Sequence, residues 1–534
     1  AFDGIKKIVG DRSYEHLYDH QCPYSVMSIA GSYTKTFSPE DIAAYFFGSN
    51  IITFSGSRVS DRGKFDVLAD YFGLPLDFKS TVCFDPSVSN IVIDLYSYYD
   101  LGCVCPDSYI SFRTAAVRTK WNLGLSECIG SEGIFDYPAG YMSRQLISRS
   151  QMVPDVTTAF KGAYYVGDMQ PLAYGKIDGP RTEAGLSDIY VELGKTCLSK
   201  DRYNLGVHVL LGIPTGTRAT SEWLFEPMIG NGKHWELGFG AYGYIDVCRS
   251  PCGEGIWSVY GGFVLSHLFS SEQCRSYDFR CSGPGSRYLL VEEMGSPVVG
   301  ECTFDELADT PVEHQYHGKV MPGINVSTLR SEIAISLQAD FTLECCYRSD
   351  NCWDIDVGYN FWARTAEHLV CRDRFPENCF AVKGDAQIYG FSPIHIPLNA
   401  TQSNATVRRA QGSGSASQQF TNANADNAAI ARFQGSDLSQ TLSGSNITGI
   451  TISAVSGSRQ AILLKDKDID AVSGLARSAV THSFFGAASY RYQYEGDTDL
   501  YVQIGAKIEV DGTGERQKSV FDQWGVWFKC GVWY

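Results

Sequence analysis

Trp524-Gly525-Val526-Trp527-Phe528-Lys529-Cys530-Gly531-Val532-Trp533-Tyr534 decides the fold class of this chain. Counting back by twos from Tyr534 gives Val532, Cys530, Phe528, Val526 and Trp524, an unbroken apolar face. The alternate positions hold Gly525, Lys529 and Gly531, with Trp527 and Trp533 among them. Successive side chains of a β-strand point to opposite faces, so this is a strand with one face for an apolar medium and one for a polar space.

The same period recurs upstream. In His234–Val247 the odd positions are Trp235, Leu237, Phe239, Ala241, Gly243, Ile245 and Val247, and the even ones carry His, Glu, Gly, Tyr and Asp. Leu500, Val502, Ile504, Ala506, Ile508 and Val510 alternate with Tyr501, Gln503, Gly505, Lys507 and Glu509. Eleven such runs are expected from residue 186 onward, near 186–196, 202–213, 234–247, 256–268, 331–344, 353–364, 380–391, 447–464, 482–494, 498–510 and 518–534. Adding 89–101, 108–118 and one more between 119 and 168 gives an expected 14 strands, within 12–16. The runs are about 10–13 residues, whereas ordinary strands average about 5–6 and a tilted membrane strand needs about 9–11. Their polar face carries Gly, Tyr and isolated charges rather than rows of Lys and Glu. Trp121, Tyr190, Tyr203, Trp235, Trp257, Trp353 and Trp362 fall near strand ends, where a lipid interface places aromatic girdles. The expectation is all-β: a transmembrane antiparallel barrel, with a soluble secreted or viral β protein as the alternative from another class.

The terminal strand resembles the C-terminal assembly signal of Gram-negative outer-membrane β-barrel proteins. That resemblance implies that Trp524, Val526, Phe528, Val532 and Tyr534 are read by the barrel-assembly machinery and that the last strand closes on the first. It also implies an outer-membrane location among outer-membrane lipids, with a homo-oligomer as one arrangement it admits. Ala1-Phe2-Asp3, without Met or a basic region, reads as a mature end left by signal-peptide removal. The cysteine content is similar to that of chlamydial major outer-membrane proteins, in composition only.

Composition narrows the class further. Across 534 residues, 44 Lys+Arg face 60 Asp+Glu, and a net charge of −16 argues against nucleic acid as a partner. With 44% hydrophobic and 19% charged residues the chain is not disordered. No run reaches the 18 apolar residues of a membrane helix. Ser38-Pro39-Glu40-Asp41 reads as a helix start with a stop at Gly48, and Asp66–Phe72 before Gly73 is a second short helix candidate. The expected organisation is an N-terminal segment, 1–85, serving as a hatch or periplasmic part, then the barrel, 86–534. The barrel carries a Ser/Ala/Gln/Asn-rich insertion at 392–446, starting on the periplasmic side as a lumen plug, a flexible loop or a periplasmic subdomain.

If the apolar positions face lipid, period two fixes the inward side chains. The expected lumen acids are Asp188, Glu192, Glu236, Asp246, Glu332, Asp340, Glu344, Asp354, Asp356, Asp385 and Glu509, and the bases Arg202, Arg364, Lys383, Lys507 and Lys529. An acidic excess predicts weak cation preference. Seventeen cysteines, in an exported chain, point to disulfides within connections: Cys103, Cys105, Cys248, Cys252, Cys274, Cys281, Cys345, Cys346, Cys352, Cys371 and Cys379 are the candidates. Cys530 is expected to be unpaired on the lipid face. Cys248-x₃-Cys252 and Cys371-x₇-Cys379 match zinc spacing poorly, so no metal is expected. His16/His20, His314/His317 and the strand histidines His208, His267 and His482 lack partner motifs or a G-x-S-x-G nucleophile, so neither cofactor nor catalysis is expected. The function these residues predict is passive diffusion of small solutes through a porin-like channel. The alternatives are a hydrophobic-substrate transporter with an N-terminal hatch and a disulfide-cross-linked structural protein of the envelope.

Overall fold

Twelve antiparallel strands close into a ring in the computed structural model. It describes residues 25–200, 202–249, 255–295, 315–349, 352–384, 386, 388–389, 401, 405–408, 461–493, 498–512 and 522–533. The wall strands are β1 (Ser25–Thr36), β2 (Ser87–Asp100), β3 (Ser108–Asn122), β4 (Ile189–Lys200), β5 (Tyr203–Ile213), β6 (Glu236–Arg249), β7 (Gly255–Ser276), β8 (Thr328–Ser349), β9 (Trp353–Arg364), β10 (Ala479–Gln493), β11 (Asp499–Asp511) and β12 (Gln523–Trp533). Each pairs with its chain neighbours. The seam is β12 on β1, with Met27 opposite Val532 and Tyr33 opposite Val526. Closure leaves no free sheet edge in the ring. Two shorter strands, Arg181–Leu186 and Glu367–Arg372, lie against β3 and β8.

Connections sort by length. The turns 101–107, 201–202, 250–254, 350–352 and 494–498 lie at one end with the start of β1 and the end of β12. The long connections 37–86, 123–188, 214–235, 277–327, 365–478 and 512–522 gather at the other. With the start of β1 and the end of β12 both on the hairpin side the strand number must be even, and it is twelve rather than the expected fourteen. Of the extra strands, 380–391 supplies, among the described residues, only Phe380–Val382, in a three-stranded sheet with Leu290–Gly295 and Gln315–Pro322. Both faces of that piece are covered, so its alternation has no lipid side. The region 119–168 supplies only Ser126–Ser131, in a four-stranded sheet with residues 51–55, 67–68 and 79–83. Residues 461–464 belong to no wall strand, and the rest of 447–464 falls outside the described residues.

The long connections build a cap with its own apolar core. Ile42, Phe54, Leu74, Tyr137, Phe160, Leu290 and Val320 are buried together, and Val88 and Trp121 join them from the barrel rim. The helix expected after Ser38 is Pro39–Phe47, closed by Gly48 at φ 75°, a left-handed position that glycine takes without strain. Asp66–Phe72 is not a helix but a strand step and a 3₁₀ turn, Ala69–Phe72. There the buried Asp70 carboxylate accepts the Ser57 amide at 3.0 Å, the Ser57 hydroxyl at 2.6 Å and the Tyr141 hydroxyl at 2.9 Å. The boundary expected at 85/86 is displaced, because β1 is a wall strand and 37–86 belongs to the cap. The connection holding 392–446 starts and ends at the capped end, not the hairpin end. Most of that insertion lies outside the described residues.

Candidate functional site

The ring turns its apolar residues outward. Ile29, Ile93, Leu205, Phe239, Leu265, Phe341, Ile355, Phe484, Ile504 and Phe528 are all exposed, Ile504 by 65%. Their strand neighbours point inward and are covered: Ala30, Asp94, His208, Tyr242, Glu344, Asp354, Phe485, Gln503 and Lys529 are each below 9%. In β12 the outward set is Trp524, Val526, Phe528, Cys530 and Val532, while Trp527 and Lys529 point into the lumen. Tyr534 lies outside the described residues.

The glycines of the inward face answer its aromatic rings. Gly194 faces Tyr109, Gly206 faces Tyr242, Gly358 faces Phe485, Gly505 faces Trp527 and Gly531 faces Tyr501 across the ladder. A Cβ on any of these glycines would lie 2.1 to 2.3 Å from the ring opposite, so each ring lies over bare backbone. This is the physical sense of a polar face rich in Gly and Tyr.

Charge and ring divide the lumen wall. Strands β2 to β7 contribute Tyr96, Tyr98, Tyr109, Tyr242, Tyr244 and Tyr260, with His208 stacked on Tyr242 at 5.9 Å. Their principal ion pair is Arg113 Nε to Asp94 Oδ2 at 2.9 Å. Strands β8 to β12 carry a denser lattice. Asp354 Oδ1 takes Arg491 at 3.1 Å and lies 3.8 Å from Arg348 Nε. Gln503 donates to Asp356 at 3.4 Å and accepts from the Trp527 indole at 3.2 Å. Lys507 and Glu509 are 3.5 Å apart, Ser483 donates to Glu509 at 3.2 Å, and Asn360 donates to Asp340 at 2.7 Å. Lys529 lies 5.2 Å above the Tyr501 ring. Four inward charges stand outside the expected lumen set: Asp94 and Arg113 precede residue 186, Arg348 lies beyond the expected strand end at 344, and Arg491 falls within the expected run 482–494. The alternation of 89–101 and 108–118 already marks the first two.

Of the expected lumen residues, Glu192, Glu236, Asp246, Asp340, Glu344, Asp354, Asp356, Arg364, Lys507, Glu509 and Lys529 point inward from wall strands. The others do not. Asp188 precedes β4 and fastens connection 214–235, accepting the Gly216 and Asn231 amides at 3.2 and 2.6 Å. Arg202 is exposed in a hairpin turn. Glu332 faces outward, because the β7–β8 register shifts between Ser266 and Ser271 and side-chain parity inverts beyond it. It bonds Ser270 and Cys371 on the outside, at 2.5 and 3.1 Å. Lys383 belongs to the cap, with its ammonium 4.0 Å over the Tyr141 ring. Asp385 lies outside the described residues.

The cysteine candidates Cys103, Cys105, Cys248, Cys274, Cys281, Cys345, Cys346, Cys352, Cys371 and Cys379 are in no disulfide in this structure, and neither is Cys530. Cys252 lies outside the described residues. Cys345 and Cys346 are not in a connection but on β8, pointing to opposite faces, so they cannot bond each other without distorting the strand. His267 and His482 sit on the outer face, His267 with the Ser336 carbonyl at 2.9 Å and His482 with the Tyr359 hydroxyl at 2.7 Å. Among the described residues no three His, Cys, Asp or Glu side chains converge as metal ligands.

No family model matches the chain, and no curated protein matches it in sequence. Among solved structures it is similar to an outer membrane channel from Pseudomonas putida F1, at 8% identity and TM-score 0.34 over 97% of each chain. It is also similar to the transport unit of the autotransporter AIDA-I from Escherichia coli, at 8% identity and TM-score 0.27 over 97% of this chain and 91% of that one. A Pseudomonas aeruginosa FadL homologue follows, at 7% identity and TM-score 0.25 over 96% and 90%. At such scores the likeness is too weak to bear on function.

Proposed function

We propose that this chain is an outer-membrane β-barrel channel for passive passage of small solutes, with weak cation preference. The observation that carries the reading is the polarity of the closed ring. Bulky apolar side chains cover its outside and ion pairs line its inside, which is the reverse of a water-soluble barrel. A lipid surround removes the cost of that exposed belt, worth about 25 cal/mol per Å². Backbone closure satisfies the requirement that no amide be left unpaired in hydrocarbon.

The lumen-side acids Asp94, Glu192, Glu236, Asp246, Asp340, Glu344, Asp354, Asp356, Glu367 and Glu509 outnumber the bases Arg113, Arg275, Arg348, Arg364, Arg491, Lys507 and Lys529, which supports the cation preference. Their burial supports a closed conformation: Glu509 and Lys529 are at most 1% exposed, so the wall is not lined by open water at those layers. Passage then requires an opening step, and no catalytic role is assigned to any side chain. Reconstitution into planar bilayers tests the reading. Intermittent conductance with a reversal potential favouring cations across a KCl gradient is expected, fading as salt rises. Anion preference, or silence at every voltage, refutes it.

A second reading has its own observation. Cys103, Cys105, Cys197 and Cys248 are exposed in or beside the hairpin turns, where cross-links to neighbours would form in a disulfide-stiffened envelope. High-mass species lost on reduction, in gels of native membranes, would favour it.

A further inference from the structure

We propose that the outer wall at β1–β3 holds a multiply phosphorylated glycolipid headgroup, through Lys35, Arg118 and Lys120. The inference rests on the membrane reading above. The register places the three residues together. Lys35 pairs with Ser89, and Ser89 pairs with Lys120, so the two lysines share one level of the wall with a serine between them. Arg118 lies two residues along β3 from Lys120, on the same face, opposite Ile91. Strand spacing of about 4.8 Å puts the lysine backbones roughly 10 Å apart, with Arg118 about 7 Å below.

The setting makes these cations unusual. All three are exposed. Among the described residues none of them forms an ion pair or a side-chain hydrogen bond. On β2, β5, β9, β10, β11 and β12 no outward position carries Lys, Arg, Asp or Glu. The neighbouring outward positions on Arg181–Leu186 are Thr182 and Ala184, so no acid offsets the patch from that side. Across the ring, by contrast, Arg330 on β8 is accompanied by Glu332 and by Glu272 of β7.

The vertical order matches a lipid. Trp524 pairs with Lys35 across the seam and stacks edge-on with Tyr33 at 5.6 Å, an interfacial pair at the level of the cations. Below it, toward the hairpin end, Ile91, Ile93, Leu95, Phe112, Ile29 and Met27 form a continuous exposed apolar surface for acyl chains. The patch sits at the capped end, and long connections face outward in such barrels, so the lipid belongs to the outer leaflet. Three cations spread over two strands and two levels exceed what one phosphate engages, which selects a headgroup with several.

Titration of lipid A onto the full chain in zwitterionic detergent tests this, with phosphatidylglycerol as the single-phosphate comparison. Saturable, salt-sensitive binding of lipid A is expected. The variant Lys35→Gln/Arg118→Gln/Lys120→Gln should bind roughly 100-fold more weakly, from about fivefold for each cation near a charged lipid surface. The variant Lys195→Gln, at the hairpin end, should bind as the parent does, and Lys35→Arg/Lys120→Arg should retain binding. Unboiled gel mobility reports the folded barrel independently. A folded triple variant that binds like the parent overturns the proposal, as does phosphatidylglycerol binding equal to lipid A. A chain that stays monodisperse without detergent overturns the membrane reading itself.

Discussion

Substituting Gly505 tests the glycine-for-ring principle of the lumen at its tightest point. A Cβ at Gly505 would lie 2.1 Å from Trp527 Cζ2 and 2.4 Å from Cε2. The indole cannot retreat freely. It is 3% exposed, packed with Ala30, Phe485 and Ala487, and its Nε1 donates to Gln503 at 3.2 Å. Gly505→Ala must therefore move the ring, at about 1–3 kcal/mol for overpacking. Losing the hydrogen bond to Gln503 adds about 0.5–1.5 kcal/mol. Alanine's lower chain entropy returns roughly 0.5–1 kcal/mol, so a net destabilisation of about 1–3 kcal/mol is expected. Gly31 is the internal control: it faces outward on β1, a Cβ added there would meet nothing within 4 Å, and Gly31→Ala should be neutral or slightly stabilising. Urea unfolding in lipid vesicles, followed by unboiled gel mobility, reads both. Adding Trp527→Leu should recover much of the Gly505→Ala loss. The reasoning fails if Gly505→Ala is as harmless as Gly31→Ala, or if removing the indole rescues nothing.

Three further outcomes are expected. Cys530, outward in β12 between Phe528 and Val532, should react with a lipid-soluble maleimide but not a membrane-impermeant one in intact vesicles; the opposite pattern means the β12 register is wrong. Asp354→Asn, which leaves Arg491 and Arg348 without their shared carboxylate, should lower cation preference in reversal-potential measurements; an increase would show that the lattice does not set the field. In the cap, burial holds the Glu292 carboxyl well above its usual range, opposed by Lys383. An acid raised in the folded state contributes stability that is complete below the unfolded pKa and is lost as pH rises through the folded one. Glu292→Gln should therefore slow hydrogen exchange of Leu290–Gly295 at alkaline pH and change little in acid; faster exchange at alkaline pH contradicts this.

The wall was legible because lipid on one side and a polar lumen on the other impose strict period two. That constraint acts on every residue of a strand such as β11, where Leu500 to Ile508 alternate without a break. β1 escaped because its outward set, Met27, Ile29, Gly31 and Tyr33, is diluted by glycine, and its inward set includes Ala30 and Val26. Of the cap, only the helix Pro39–Phe47 with its Gly48 stop was legible. Phe380–Val382 reads like a wall strand, but Ala381 and Val382 are both buried within a small sheet, and local alternation cannot tell a second covered face from a lumen. Within the wall strands, side-chain direction failed only where register changes; Asp188, Arg202 and Lys383 failed because they lie outside those strands. One extra residue on β8, where Ser336 and Leu337 are both exposed, turns Glu332 from lumen to surface, and a matching extra residue on β7 leaves Phe269 and Ser270 both exposed; no hydrophobicity pattern announces either. Pairing partners were the deeper loss. A sequence shows that Gly505 and Trp527 each point inward, but only the β11–β12 register shows that one exists to receive the other. The lumen's chemistry is thus written in cross-strand pairs, and a change to either member acts through its partner.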